Sequence, residues 1–120
     1  MNLNKLTERA QEAVATAQQQ AEERNHGAVD VDHLLLALVE QRDGVVPQIL
    51  QKLGVSPERI REELHQTLSR RPTVSGASAQ RYATQALSNV LNGAGEEAER
   101  MHDEYVSTEH LLLAIIASDG

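Results

Sequence analysis

Five histidines, 18 carboxylates and no cysteine are the side chains from which this 120-residue sequence could build chemistry. Two metal ligands on one helical face need the i,i+4 spacing. None of His26, His33, His65, His102 and His110 is so paired, so they read as structural or surface histidines and no metal site is expected. Covalent catalysis lacks its parts: there is no cysteine, no Gly-x-Ser-x-Gly turn, and no serine set beside a credible histidine and carboxylate pattern. A phosphate-binding loop needs glycines ending in Lys-Ser/Thr so that amides and one ammonium surround the phosphates. Lys5 and Lys52, the only lysines, follow no such turn. A non-catalytic chain without its own cofactor is expected. What remains is a pair of carboxylates, Asp32 and Glu109, placed to sit beside the free backbone amides of two helix starts, where plain dipole complementation accounts for an acid.

The elements that would carry those acids are duplicated. His33-Leu34-Leu35-Leu36-Ala37 recurs unchanged as His110-Leu111-Leu112-Leu113-Ala114, 77 positions later, and the register holds without a gap upstream. Leu6 falls on Ala83, Thr7 on Thr84, Ala10 on Leu87, Ala13 on Val90, Val14 on Leu91, Ala17 on Ala94 and Ala21 on Ala98. The matched apolar positions are three or four apart, the spacing of a buried helical stripe. A helix and a second, more apolar helix have therefore been repeated. The predicted organisation is one domain over 1–120: repeat one over about 4–68, a linker over 69–79, and a partial repeat two over 80–120 that lacks its last two helices.

Thr7 is expected to open a helix running to about Asn25, with Gly27 as its left-handed stop. Asp30 is a good N-cap for a short helix whose Leu34 to Val39 are apolar on almost every side, ended by Gly44. A third helix has Pro47 in its first turn and Gly54 at its close. Ser56-Pro57-Glu58 then opens a fourth, with Ile60, Leu64 and Leu68 on one face. A long fifth helix is predicted from about Gln80 to Asp103, frayed or closely crossed at Gly93 and Gly95. Ser107 caps the last helix. With no strictly alternating segment, the fold is expected to be all-α, two tandem pseudo-two-fold helical repeats with the second truncated. Because that truncation removes cover, Leu111, Leu112 and Ile115 are predicted to be less buried than Leu34, Leu35 and Leu38, leaving an apolar patch.

A net charge of −7 argues against nucleic-acid and anionic-membrane partners, which need clustered Lys and Arg. The one basic pair, Arg70-Arg71, reads as a solvated turn flank. No apolar run approaches the roughly 18 residues that span a bilayer, and no secretory leader is visible, so a cytoplasmic setting is expected. Only two tyrosines supply aromatic rings, so the core must be aliphatic.

The doubled acid-His-Leu-Leu-Leu-Ala helix and Val46-Pro47-Gln48-Ile49-Leu50-Gln51-Lys52-Leu53-Gly54-Val55 together resemble the amino-terminal domain of Clp-type AAA+ ATPases. Arg70-Arg71-Pro72-Thr73-Val74 is similar to the connector of the ClpB-like disaggregase branch. That resemblance implies a substrate-recruitment domain for unfolded or aggregated polypeptide, attached to an ATP- and magnesium-dependent parent that forms a homo-hexamer. It implies a groove between the first helix, the fifth helix and the start of the sixth, carried over here to Thr7, Val90, Leu91, Glu109 and His110. Of the neighbours Val90 and Leu91, one must face outward more than the other. The alternative implied by the ClpC-like branch is an adaptor-docking or phosphoarginine-binding domain. There the acids matching Asp32 and Glu109 pair with a guanidinium while helix-start amides take the phosphate.

Overall fold

In the computed structural model, which describes residues 5–74 and 81–118, most helices begin where a side chain satisfies free backbone amides. Thr7 Oγ1 accepts from the Ala10 N–H at 3.2 Å and opens α1 (Glu8–Glu23), whose buried stripe is alanine throughout: Ala10, Ala13, Ala17 and Ala21. The chain leaves α1 through a left-handed Asn25 (φ 58°), and Gly27 does not serve as the stop. Asn tolerates that conformation better than most residues, which is why a glycine is not needed there.

Asp30 caps α2 (Val31–Glu40), the most deeply buried helix of the first half. Gly44 does not end α2. It is the N-cap of α3 (Val45–Lys52), and the preceding turn is taken by Asp43 at φ 53°. Gly54, at φ 81°, closes α3, and Ser56 Oγ accepts from the Arg59 N–H to open α4 (Pro57–Ser69). Thr84 caps α5 (Gln85–Arg100), which starts and stops inside the range expected from sequence. Its first residues are given up to a two-residue strand. The glycines do not interrupt α5: a Cβ on Gly93 would stand 3.5 Å from the Ala114 Cβ, an ordinary contact at the α5–α6 crossing, and Gly95 has open space beside it. Finally, α6 spans Thr108–Ala117. The part of the linker over 75–80, and Asp119-Gly120, lie outside the described residues.

The ends of α5 and α6 stand 77 positions from those of α1 and α2, without slippage. Two very short parallel contacts join the units. β1 (Ala28–Val29) pairs with β2 (Tyr82–Ala83), and Leu6 bridges Val106. Under the 77-residue offset these are one contact seen from either unit. Its bonds match as well: Thr84 N–H donates to the Val29 carbonyl at 3.0 Å, and Thr7 N–H to the Val106 carbonyl at 2.9 Å. Strand content of two residues has no periodicity to be read from sequence. It arises because two helix openings meet across the seam.

Leu34, Leu38, Leu87, Val90, Leu111 and Leu112 belong to one core that crosses the seam. Leu36, Leu64 and Leu68 form a second, smaller cluster where α4 lies on α2. The expected patch exists but at other positions. Leu111 and Leu112 are closed in the core, as α6 packs against α5, α2 and α3, whereas Ile115 is only partly buried and so less covered than its counterpart Leu38, as expected. The exposed side chains are Leu113 (39%) and Ile116 (61%), whose counterparts Leu36 and Val39 are buried. Leu36 is covered by α4, and the described part of the second unit has no helix in that place. No helix among the described residues is long and apolar enough to cross a membrane.

Candidate polypeptide-binding seam

The histidines at the third position of α2 and α6 do the work usually given to Glu or Gln in a capping box. His33 Nδ1 accepts from the Asp30 N–H at 3.0 Å, and His110 Nδ1 accepts from the Ser107 N–H at 2.9 Å. With Nδ1 accepting, the neutral ring carries its proton on Nε2. In the second unit that Nε2 meets Asp103 Oδ2 at 2.8 Å; in the first it meets His26 Nδ1, also at 2.8 Å. His26 and Asp103 occupy the same place in the two repeats, so duplication has kept the cap and changed its backing from a carboxylate to a second imidazole. Burial, with the neighbouring His26 and Arg71 next in importance, holds His33 down to about 4. The same causes in milder form, burial first and then Arg71 and Arg24, lower His26.

Asp32 is not an open acid. Arg71 Nη2 donates to Asp30 Oδ2 at 2.7 Å and to Asp32 Oδ2 at 2.9 Å, so the linker brings its own guanidinium to this helix start. The expectation that Arg70-Arg71 is a solvated flank holds for Arg70 and fails for Arg71, which is partly buried. Asp30 also accepts from Thr84 Oγ1 and the Val31 N–H, both at 2.8 Å. Burial pushes its carboxyl up, but the bonds from Thr84, Val31 and Arg71 outweigh that and leave it below the usual range. Glu109, the counterpart of Asp32, is partly exposed and forms no ion pair among the described residues.

Of the five residues carried over as polypeptide contacts, two are inside. Val90 (2% exposed) packs in the core at the place of Ala13, and His110 is closed in by its capping bonds. Leu91 is the outward neighbour. It lines a small furrow of about 70 Å³ with its counterpart Val14, together with Ala17, Leu34, Ala83 and Leu87. The furrow lies on the seam and is aliphatic, with Gln18 and Arg81 at its edge. Thr7 and Glu109 do not line it; Thr7 sits at the Leu6–Val106 bridge, where its N–H donates to the Val106 carbonyl, and Glu109 lies in the first turn of α6. The resemblance named Leu91 but not Val14, although the gapless register already matched the two. Beside the bridge runs a larger groove of about 470 Å³, lined by Lys5, Gly95, Glu96, Glu99, Asp103 and Glu104. No cluster of three or more metal-ligating side chains occurs among the described residues.

Two aliphatic helix pairs closed about a pseudo-two-fold seam, with a histidine cap in each, define a class. Residues 5–120 match the Clp repeat (R) N-terminal domain family, and the chain belongs to it. Its sequence is 41% identical over its whole length to the chaperone protein ClpB of Bacillus cereus, and 40% identical over 97% of its length to ClpB of Nitratidesulfovibrio vulgaris. The chain spans 14% of the length of each. Among solved structures, the N-terminal domain of Hsp104 from Candida albicans superimposes with a TM-score of 0.85 at 17% identity, over 93% of this chain and 73% of that one. A complex of the ClpV N-domain with VipB peptide gives 0.80 at 20% identity, over 92% and 67%.

Proposed function

We propose that this domain recruits unfolded or aggregated polypeptide for a ClpB-like, ATP- and magnesium-dependent disaggregase, a cytoplasmic homo-hexamer. The observation that carries the reading is the seam furrow, where Val14 and Leu91 present apolar surface from both repeats side by side. A furrow this small buries little area, and a loose chain loses entropy on docking, so binding is weak and quickly reversed. Such binding suits a domain that passes its client on. The neighbour solved as a complex of the ClpV N-domain with VipB peptide supports peptide capture by a domain of this fold. The adaptor or phosphoarginine reading fits less well, because Arg71 already occupies Asp32 and leaves Glu109 alone as an acid to read a guanidinium.

Leu91→Ser is expected to weaken binding of a permanently unfolded model protein about tenfold, from loss of roughly 1.5 kcal/mol of apolar contact. Leu113→Ser, on the exposed face of α6, is expected to leave it unchanged. Fluorescence anisotropy of the labelled client measures both. Equal losses would remove the furrow from the account.

A further inference from the structure

The linker is tied down around a pair of buried histidines. Arg71 Nη2 bonds Asp30 and Asp32, and Val74 N–H donates to the carbonyl of the left-handed Asn25 at 2.8 Å. Val74 Cγ1 lies 3.2 Å from where a Cβ on Gly27 would stand, so the missing side chain lets the valine close over the turn. From the far end of the linker, Arg81 Nε donates to the His26 carbonyl at 3.0 Å. Among these ties His26 and His33 are both enclosed, with their rings 5.1 Å apart between centres.

The pair has no place for an added proton. His33 Nδ1 is taken by the Asp30 N–H and its Nε2–H by His26 Nδ1, while His26 is also bonded to the Leu68 backbone in the last turn of α4. A proton on His26 Nδ1 confronts the His33 donor, and an imidazolium on either ring faces the Arg71 guanidinium. The other charges come from the elements packed around the pair. Arg24 at the end of α1 is bonded to His65 of α4, which meets Glu40 of α2, and Asp30 and Asp32 stand at the start of α2. Burial comes first in keeping both rings neutral, ahead of His26 and Arg71 for His33 and of Arg71 and Arg24 for His26; Asp30, Asp32 and the Leu68 bond act the other way and are outweighed. Of the surrounding elements, the linker can leave without opening the core, since Pro72, Thr73 and Val74 are exposed and belong to neither hydrophobic cluster. Its hold is also incomplete: Arg71 Nε is buried without a hydrogen-bond partner among the described residues, so release returns a donor to water.

We infer that the His26–His33 pair is a proton-sensitive latch for the linker, and that a proton taken up by the pair releases residues 71–74 from Asn25, Asp30 and Asp32 while both helical repeats stay folded. In the released form the rings meet water and regain the usual value near 6.5, so release grows as the pH falls below 6.5 toward 4. Through the His26 carbonyl and Arg81 the latch reaches the edge of the furrow, whatever the furrow binds.

Native-state hydrogen exchange in low urea separates this local release from global unfolding. The Val74 amide reports on the linker, and the Leu111 amide, in the seam core, on the whole domain. Corrected for the intrinsic exchange rate, Val74 protection is expected to fall about tenfold per pH unit between pH 6.5 and 5, the linkage of one proton, and not to change with urea. Leu111 is expected to be more protected and to lose protection as urea is added. The double variant His26→Gln/His33→Gln is expected to flatten the pH dependence at Val74. Val74 protection that is independent of pH, that follows Leu111 in urea, or that keeps its pH slope in the double variant would each overturn the latch. The first two outcomes are read on the unsubstituted protein, so the test stands even where the double variant does not fold.

Discussion

Leu111→Ala is expected to lower the unfolding free energy by about 3–5 kcal/mol, and Leu113→Ala, two residues along the same helix, by less than about 1. Leu111 is wholly enclosed in the core that crosses the seam, so truncation leaves a cavity that helices from both repeats would have to collapse to fill. Leu113 is 39% exposed and already partly in water. The comparison with the first repeat sharpens the case. Leu34→Ala should match Leu111→Ala, since both are fully buried at the same repeat position. Leu36→Ala should cost about 2–4 kcal/mol, several times its counterpart Leu113→Ala, because Leu64 and Leu68 enclose Leu36. Urea unfolding of the four variants measures this, against a total stability on the order of 5–15 kcal/mol. A large loss for Leu113→Ala would mean that its face is covered by something other than the elements described.

The second large effect is an acid sensitivity that belongs to the first repeat. His33 is held at about 4 in the folded domain, against 6.5 unfolded. Between those values the unfolded chain binds a proton that the folded one does not, so stability is complete above pH 6.5 and falls as the pH drops toward 4. The span corresponds to about 3 kcal/mol, of which about 2 is lost by pH 5, before most carboxylates titrate. His26 acts in the same direction, since its own value is lowered by burial and by Arg71. The geometric reason is a chain of neutral donors and acceptors. Asp30 N–H gives to His33 Nδ1, and His33 Nε2–H to His26 Nδ1; a proton added to His26 Nδ1 sets two donors against each other. His33→Gln keeps an acceptor for the cap and a donor toward His26 without titrating. Urea unfolding at pH 7, 6 and 5 should show most of the slope removed by that substitution. An unchanged slope would place the acid sensitivity elsewhere.

Much of this architecture could be read from the residues. The repeat of His33–Ala37 at His110–Ala114 located two of the helices, and the gapless match of Thr7 with Thr84 located two of their caps. The stripe of small residues in α1 announced close packing, and Ser56-Pro57-Glu58 opened α4 as its types require. Several features were beyond reach for specific reasons. A parallel pair of two residues carries no alternation, so Tyr82–Ala83 was absorbed into the helix that follows it. Arg71 looks like any linker arginine until folding brings Asp30 and Asp32 across some forty residues to meet it. His26 and His33 are seven apart, too far to suggest a pair, and become neighbours only because Asn25 turns the chain back. The apolar patch was expected at Leu111 and Leu112, which are buried, because the period gives the buried face of a helix in its own repeat and not the packing of α6 against α2 and α3 of the other; only Ile115 of the three is less covered than its counterpart.

For the site, the register supplied more than the resemblance did. It paired Val14 with Leu91, and that pair faces the furrow, while Val90 and His110 are enclosed. The duplication also set an apolar furrow on the seam apart from an acid-edged groove at the Leu6–Val106 bridge. The central claim is that a loose polypeptide chain rests in that furrow. Paramagnetic relaxation enhancement tests it most directly, with a spin-labelled unfolded protein added to the ¹⁵N-labelled domain. The account predicts that broadening centres on Val14, Ala17, Leu87 and Leu91 and is lost in Leu91→Ser. Broadening centred on Leu113 and Ile116, or spread evenly over the surface, would contradict it.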